Sequence, residues 1–344
     1  MKDIFSRTNK IIKEKNVPIN VVVELTRRCN LDCLHCYNFK DDSELDFYQM
    51  KHIFNELRAA GCLFLTFTGG EVFIKEDFLD ILGLARHLGF DVEIITNATL
   101  INEKTADELK SLCLSNIGIS IYATSSSIHD KITGVKGSFY RTMHSIEMLR
   151  SKGLNLHLKC TLMKYNFAEY KKIVQLAESL NVNYIIDPII SPKDDGSKDV
   201  LSCRLNDSQL KDFYFDLFGQ IEYSSDNKSG AVCDAGCTFA AVSAKGDIYP
   251  CIQVPVSAGN IFEKNFKNIW TESEVLNKIR IEAKYGPSVC KDCYLRDSCS
   301  RCPGLALLED GDMFGCSRTA CSIAKFQKCF KEEKLKNHEE KIGE

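Results

Sequence analysis

The chain has no apolar run long enough to cross a bilayer, and its first twenty residues, "MKDIFSRTNKIIKEKNVPIN", alternate apolar with charged side chains. Neither a membrane span nor a secretory signal is expected, which places the protein in the cytoplasm. An excess of charge of one sign is also missing. With 44 Lys+Arg against 47 Asp+Glu the net charge is −3, so no global field gathers nucleic acid or an anionic membrane surface. An even cysteine count is lacking too. Seventeen thiols in a reducing compartment argue against a disulfide framework, and metal or cluster ligation is the use that remains.

The chain does have enough apolar material, 44% of 344 residues, for a large unit and a smaller one. From Pro18 short β-branched runs alternate with helical stretches: "INVVVEL", "LFLTFTGGE", "DVEIITN", "NIGISIYA", "NLHLKCTLM" and "VNYIIDPII" are separated by amphipathic segments. About six β/α units imply an α/β fold with a parallel sheet, open or closed into a full or partial barrel, whose ligands sit beyond the strand C-terminal ends. The expected divisions are an N-terminal segment 1–17, the β/α unit 18–190, a linker and bridging helix 191–232, a cysteine-rich unit 233–330 and a charged tail 331–344. The linker is read from "SPKDDGSKD" and "YSSDNKSG", and the tail is expected to be a frayed helix.

Directly after the first strand comes "RRCNLDCLHCYNF", with Cys29, Cys33 and Cys36 and no fourth cysteine. A cubane iron-sulfur cluster held wholly by protein takes four thiolates, so three leave one iron open for a ligand. Catalytic zinc sites keep an open position for the same purpose. Spacings of four and seven would also fit one buried helical face, but Arg27, Arg28, Asn30, Asp32 and His35 oppose burial. Zinc usually takes two closely spaced ligand pairs, and this unit has one run.

The pattern Cys29, Cys33, Cys36 after a first strand resembles the signature of the radical SAM superfamily. That resemblance implies a partial (β/α)6 TIM-type barrel and a 4Fe-4S cluster whose free iron binds S-adenosylmethionine, cleaved by an electron to methionine and a 5'-deoxyadenosyl radical. "TGGE", with Gly69, Gly70 and Glu71 at the second strand end, is similar to the family's motif for the methionine amino group. A glycine pair permits close backbone approach and the carboxylate can receive an ammonium. By the same resemblance His35, Tyr37, Asn97 and Ser120 are cofactor-binding, and Lys159 pairs with the cofactor carboxylate. Relatives often have Leu-Asp-Gly after the serine; here Ile121, Tyr122 and Ala123 follow, so no catalytic aspartate is carried over.

The C-terminal cysteines resemble the SPASM extension, which carries two auxiliary clusters. "CDAGCTFAAVSAKGDIYPC" contains a hairpin turning at 245–247, followed by "CKDCYLRDSCSRC" and "GCSRTAC". The resemblance implies Cys233, Cys237, Cys251 and Cys302 at the nearer cluster. It implies Cys290, Cys293 and Cys299 with Cys321, or alternatively Cys316, at the other. A pair of zinc ribbons is the competing use of "CKDC". Cys62, Cys113, Cys160, Cys203 and Cys329 fit no pattern and are expected to be small buried hydrophobes.

The function implied is hydrogen abstraction from a peptide, giving a cross-link, thioether, epimer or excision, with an electron donor such as flavodoxin or ferredoxin. Fewer than twenty residues precede the first strand, too few for a leader-binding domain, so a precursor peptide would call for a separate leader-binding protein. Modification of a tetrapyrrole side chain and sulfatase maturation are the enzymatic alternatives. An electron-transfer iron-sulfur protein is the alternative of another class, against which "TGGE" argues.

Overall fold

A computed structural model of the chain describes residues 2–220 and 233–342, and the linker stretch "YSSDNKSG" lies outside them. The helices are α1 (Lys2–Glu14), α2 (Phe47–Ala59), α3 (Phe78–His87), α4 (Glu103–Ser111), α5 (Ser126–Thr133), α6 (Ser138–Ser151), α7 (Tyr170–Leu180), α8 (Asp207–Gln220), α9 (Phe266–Glu272), α10 (Glu274–Tyr285), α11 (Pro303–Asp310) and α12 (Arg318–Ile342). The strands are β1 (Asn20–Glu24), β2 (Phe64–Thr68), β3 (Asp91–Thr96), β4 (Asn116–Ser120), β5 (Leu156–Thr161), β6 (Asn183–Asp187), β7 (Phe239–Val242), β8 (Asp247–Tyr249) and β9 (Gly259–Asn260). Strands β1 to β6 pair in sequence order and in parallel, as βαβ connections require, giving the expected partial barrel.

Alternation along each strand decides what faces the helices and what faces the barrel interior. On β3 the residues Val92 and Ile94 are buried under the helical layer, while Asp91, Glu93 and Ile95 face inward. The helices complement this with apolar stripes: α2 buries Met50, Ile53, Phe54 and Leu57, at i, i+3, i+4 and i+7. Phe54 meets Phe67 and Phe90 at centroid distances of 5.9 and 5.6 Å, and each such side chain stabilises the fold by about 1.5–3 kcal/mol on burial. Asp46 and Gln49 form a capping box that starts α2 where the cysteine loop ends.

The cysteine-rich segment joins the sheet itself. β7 pairs in parallel with β1, from Asn20 opposite Phe239 to Val23 opposite Val242, and β8 and β9 extend it antiparallel. The β7–β8 turn falls where expected, with Ser243 Oγ accepting from the amides of Lys245 and Asp247. At the far edge α12 folds back over α8, and Ile323 and Phe330 share a cluster with Leu162, Leu205 and Phe213. The charged tail is therefore the outer end of a helix anchored by its first turns.

Candidate active site

The loop between β1 and α2 is tied down by the protein's own contacts. Its stem closes through Arg27 N donating to Ser43 O and Leu45 N to Leu25 O, and Leu31 and Leu45 are sunk into the protein. Its tip docks on the end of α5, with Asp32 N and Leu34 N donating to Thr133 O and Ile132 O. Lys40 Nζ crosses back to Leu31 O at 2.6 Å and Asp32 Oδ1 at 2.9 Å.

Cys29, Cys33 and Cys36 face one cavity of about 210 Å³, together with His35, Tyr37, Gly69, Gly70, Asn97 and Ser120. Six of the eight residues expected to bind the cofactor thus converge. Burial raises all three thiols, Cys33 to about 12, so a bound cation is what would hold them as thiolates. His35 Nδ1 and both side-chain polar atoms of Asn38 are buried without a hydrogen-bond partner, and both residues line the cavity. Orphaned polar atoms beside three convergent thiols are the donor set that an iron-sulfur cluster with a polar ligand would complete. Burial also lowers the His35 pKa to about 4, so the ring is neutral, and it packs edge-on to Tyr122 at 4.7 Å.

Two expected residues stand elsewhere. Glu71 is fully buried and its oxygens accept from Thr96 Oγ1 at 2.7 Å, Asn97 N at 2.8 Å and Phe73 N at 3.1 Å. It positions the β3 end instead of facing the cavity, and desolvation raises its pKa against those three bonds. Lys159 lies one inward position below the cavity, since Thr161 is the β5 residue that lines it. It sits beside Gly118 and within electrostatic reach of Glu93 and Asp187.

The glycine pair lines the cavity and also lies against the chain. A Cβ on Gly69 would stand 2.3 Å from Thr26 O and one on Gly70 2.1 Å from Arg28 O, because the cysteine loop lies directly on the β2 end. Arg27, Asn38, Lys40, Tyr122 and Thr161 also line the cavity and were not expected. Alternation two residues beyond Lys159 would have found Thr161; Lys40 carries no such signal.

In the C-terminal region Cys233, Cys251 and Cys302 are mutual electrostatic neighbours and Cys237 neighbours Cys233. Gly304 makes this possible: a Cβ there would sit 1.8 Å from Gln253 O, so α11 can bring Cys302 against the segment after Cys251. Cys290, Cys293, Cys299, Cys316 and Cys321 line a separate cavity of about 200 Å³, which Cys233 also borders. Among the described residues no three cysteine, histidine or carboxylate side chains meet closely enough for a single metal ion. Of the patternless cysteines, Cys62, Cys160 and Cys203 are buried as expected. Cys113 and Cys329 are exposed, which corrects the expectation: the one follows α4 in a left-handed turn and the other lies on the outer side of α12.

Residues 23–177 match the model of the radical SAM superfamily and residues 233–294 that of the SPASM iron-sulfur cluster-binding domain. The chain belongs to the radical SAM superfamily and to its SPASM branch. It is an S-adenosylmethionine-dependent enzyme whose cofactors are a SAM-binding 4Fe-4S cluster and auxiliary clusters. The AdoMet-dependent heme synthase of Methanosarcina barkeri is 28% identical over 335 residues, spanning 88% of this chain and 96% of that one. The subtilosin biosynthesis protein AlbA of Bacillus subtilis is 28% identical over 299 residues, spanning 82% of this chain and 65% of AlbA. Streptococcus suis SuiB bound to precursor peptide SuiA superposes with a TM-score of 0.72 at 18% identity, over 93% of this chain and 80% of SuiB. Native anSMEcpe with bound AdoMet and Cp18Cys peptide gives 0.71 at 17%, over 93% and 98%. These two likenesses speak for the fold alone. No helix among the described residues is long and apolar enough to cross a membrane.

Proposed function

We propose that this enzyme takes a hydrogen atom from a carbon of a peptide, leading to a cross-link, thioether, epimer or excision. The charge of the barrel wall carries this reading. Strand register turns Glu24, Glu93 and Asp187 inward with a single lysine, Lys159, and burial lowers the His157 pKa to about 4 and so keeps it neutral. That wall offers a ligand bearing several carboxylates a single strand lysine as counter-charge, whereas a neutral amide chain finds Thr66, Ser120 and Thr161. β6 ends the sheet with Tyr184 and Ile185 exposed, which leaves a side open to an extended chain.

Cys29, Cys33 and Cys36 would hold the SAM-binding cluster, which when bound supplies the electron that releases the 5'-deoxyadenosyl radical. His35, Tyr37, Asn97 and Ser120 flank the cofactor in this assignment, Gly69 and Gly70 seat the cysteine loop, and Glu71 fixes Asn97. Lys159 moves from the cofactor to the substrate side. Cys233, Cys237, Cys251 and Cys302 would hold the nearer auxiliary cluster, and Cys290, Cys293 and Cys299 with a later cysteine the distal one. A flavodoxin or ferredoxin is the proposed electron donor, and a separate protein the proposed binder of a precursor's leader.

One observation favours a second reading, a tetrapyrrole side chain as target: the heme synthase of M. barkeri is matched over 96% of its length. The anaerobically reconstituted enzyme with S-adenosylmethionine and dithionite separates the two. Small peptides encoded beside its gene, deuterated at carbon, should pass deuterium into 5'-deoxyadenosine and change in mass. Loss of carbon dioxide from a propionate-bearing porphyrin, with the peptides unchanged, would overturn the peptide reading.

A further inference from the structure

We infer that the distal auxiliary site offers five thiols for four ligand places, with Cys316 and Cys321 acting as interchangeable fourth ligands beside Cys290, Cys293 and Cys299. All five line the same cavity. Cys316 Sγ stands 3.9 Å from Cys290 Sγ, and Cys321 lies within electrostatic reach of Cys316, Cys293 and Cys299. A cubane cluster takes four thiolates, so one of the five is surplus at any moment.

The surplus is built in, because each late cysteine has its own anchor. Cys316 sits in the loop between α11 and α12, and the Arg301 guanidinium clamps that loop by donating to Gly315 O at 2.6 Å and to Met313 O. Arg301 is itself held at the cavity wall, its side chain 13% exposed, with Glu282 3.8 Å away. Cys321 is in the first turn of α12, where Ser317, 1% exposed, caps the helix: its Oγ accepts from Ala320 N and its carbonyl from Cys321 N. Removing one anchor leaves the other intact.

The two are held by different elements, Cys316 by the loop that Arg301 clamps and Cys321 by α12. A loop ligand can swing away by changing a few dihedrals, while a helical ligand moves only with its helix. The cluster can therefore exchange its fourth ligand between a loop thiol and a helical one without losing its protein shell. This rests on the cluster reading of the C-terminal region given above, and the two can fail separately.

The test uses the full chain, reconstituted anaerobically with iron and sulfide, as wild type, Cys316→Ala, Cys321→Ala and the double variant. Iron should be about 12 per chain in the wild type and in both single variants, and should fall below that in the double variant, whose distal cluster would keep three thiols and an unprotected fourth iron. One single variant losing iron with the other unchanged would show a dedicated ligand. Both losing iron would show that neither substitutes for the other, and a double variant that keeps the wild type's iron and cluster absorption would show that neither is a ligand; each overturns the inference. Alkylation of the wild-type holoprotein with iodoacetamide under argon needs no variant to fold. The label should divide between Cys316 and Cys321, and label wholly on one of them refutes exchange. Zinc in place of iron in the wild type would instead sink the cluster reading itself.

Discussion

Replacing Gly70 by alanine separates two accounts of the glycine pair. Gly70 is not in the left-handed region, so the substitution adds volume without backbone strain. The new Cβ would stand 2.1 Å from Arg28 O and 2.6 Å from its carbonyl carbon. An ordinary C···O contact is about 3.3 Å, so the Arg28 peptide must retreat by about 1 Å. That peptide adjoins Cys29, and Arg28 O accepts the Glu71 amide at 2.9 Å, so the shift reaches the first proposed cluster ligand and loosens the β2 end together.

Overpacking of this kind costs about 1–3 kcal/mol, and a misplacement near 1 Å at reacting groups costs on the order of 10²-fold in rate. Gly70→Ala should therefore lose iron from the barrel site, falling from about 12 toward about 8 per chain, with cleavage of S-adenosylmethionine reduced about 10²-fold. Iron by colorimetry and 5'-deoxyadenosine by chromatography measure both. If iron stays complete and only the KM for S-adenosylmethionine rises, the glycine serves ligand approach and the packing account is wrong.

Cys29, Cys33 and Cys36 changed together to alanine should abolish cofactor cleavage while about two thirds of the iron remains, since the other thiols are carried on different elements; continued cleavage would remove the site from that loop. Glu24→Gln should change how stability depends on pH. Burial raises the Glu24 pKa from 4.5 to about 7, partly offset by Arg27. The native state then holds a proton that the unfolded state releases, and the wild type loses stability as pH rises from about 4.5 to about 7, by on the order of 3 kcal/mol. Gln cannot titrate, so the variant's Tm advantage should grow across that window in anaerobic melts; a constant difference would contradict it.

The strands were legible because parallel strands buried under helices must be β-branched and apolar on the covered face, and "NVVVE" and "DVEIIT" show it. The convergence of three strand ends on one cavity followed from topology alone. What was illegible depended on contacts between distant segments. Nothing in "TGGE" says that Arg28 O will occupy the space of the missing Cβ, or that Glu71 will spend its oxygens on Thr96, Asn97 and Phe73. The motif is compatible with a carboxylate facing the cofactor and with one buried behind it. For α12 a signal did exist: Ile323, Phe326 and Phe330, at i, i+3 and i+7, form the stripe that packs on α8. It was masked by the surrounding lysines and glutamates.

The β7–β1 pairing has the largest consequence for how the clusters relate. Domains joined by a linker usually meet across a modest polar surface and move relative to each other. Here the cysteine-rich region is tied to the barrel by a strand in register, with neighbouring strands about 4.8 Å apart. Further ties cross the same seam: Trp270 Nε1 donates to Asn16 O at 2.6 Å, Phe266 N to Glu56 Oε2 at 2.8 Å, and Lys245 pairs with Asp41 at 3.1 Å. Tyr37, half-buried beside Cys36, lies within electrostatic reach of Cys251 on the far side. The thiols around Cys251 are therefore held relative to the cysteine loop by backbone hydrogen bonds that break only if the sheet itself opens. A separation set this way is held by the sheet, and in the proposed peptide reading the open side next to β6 is where the substrate would enter.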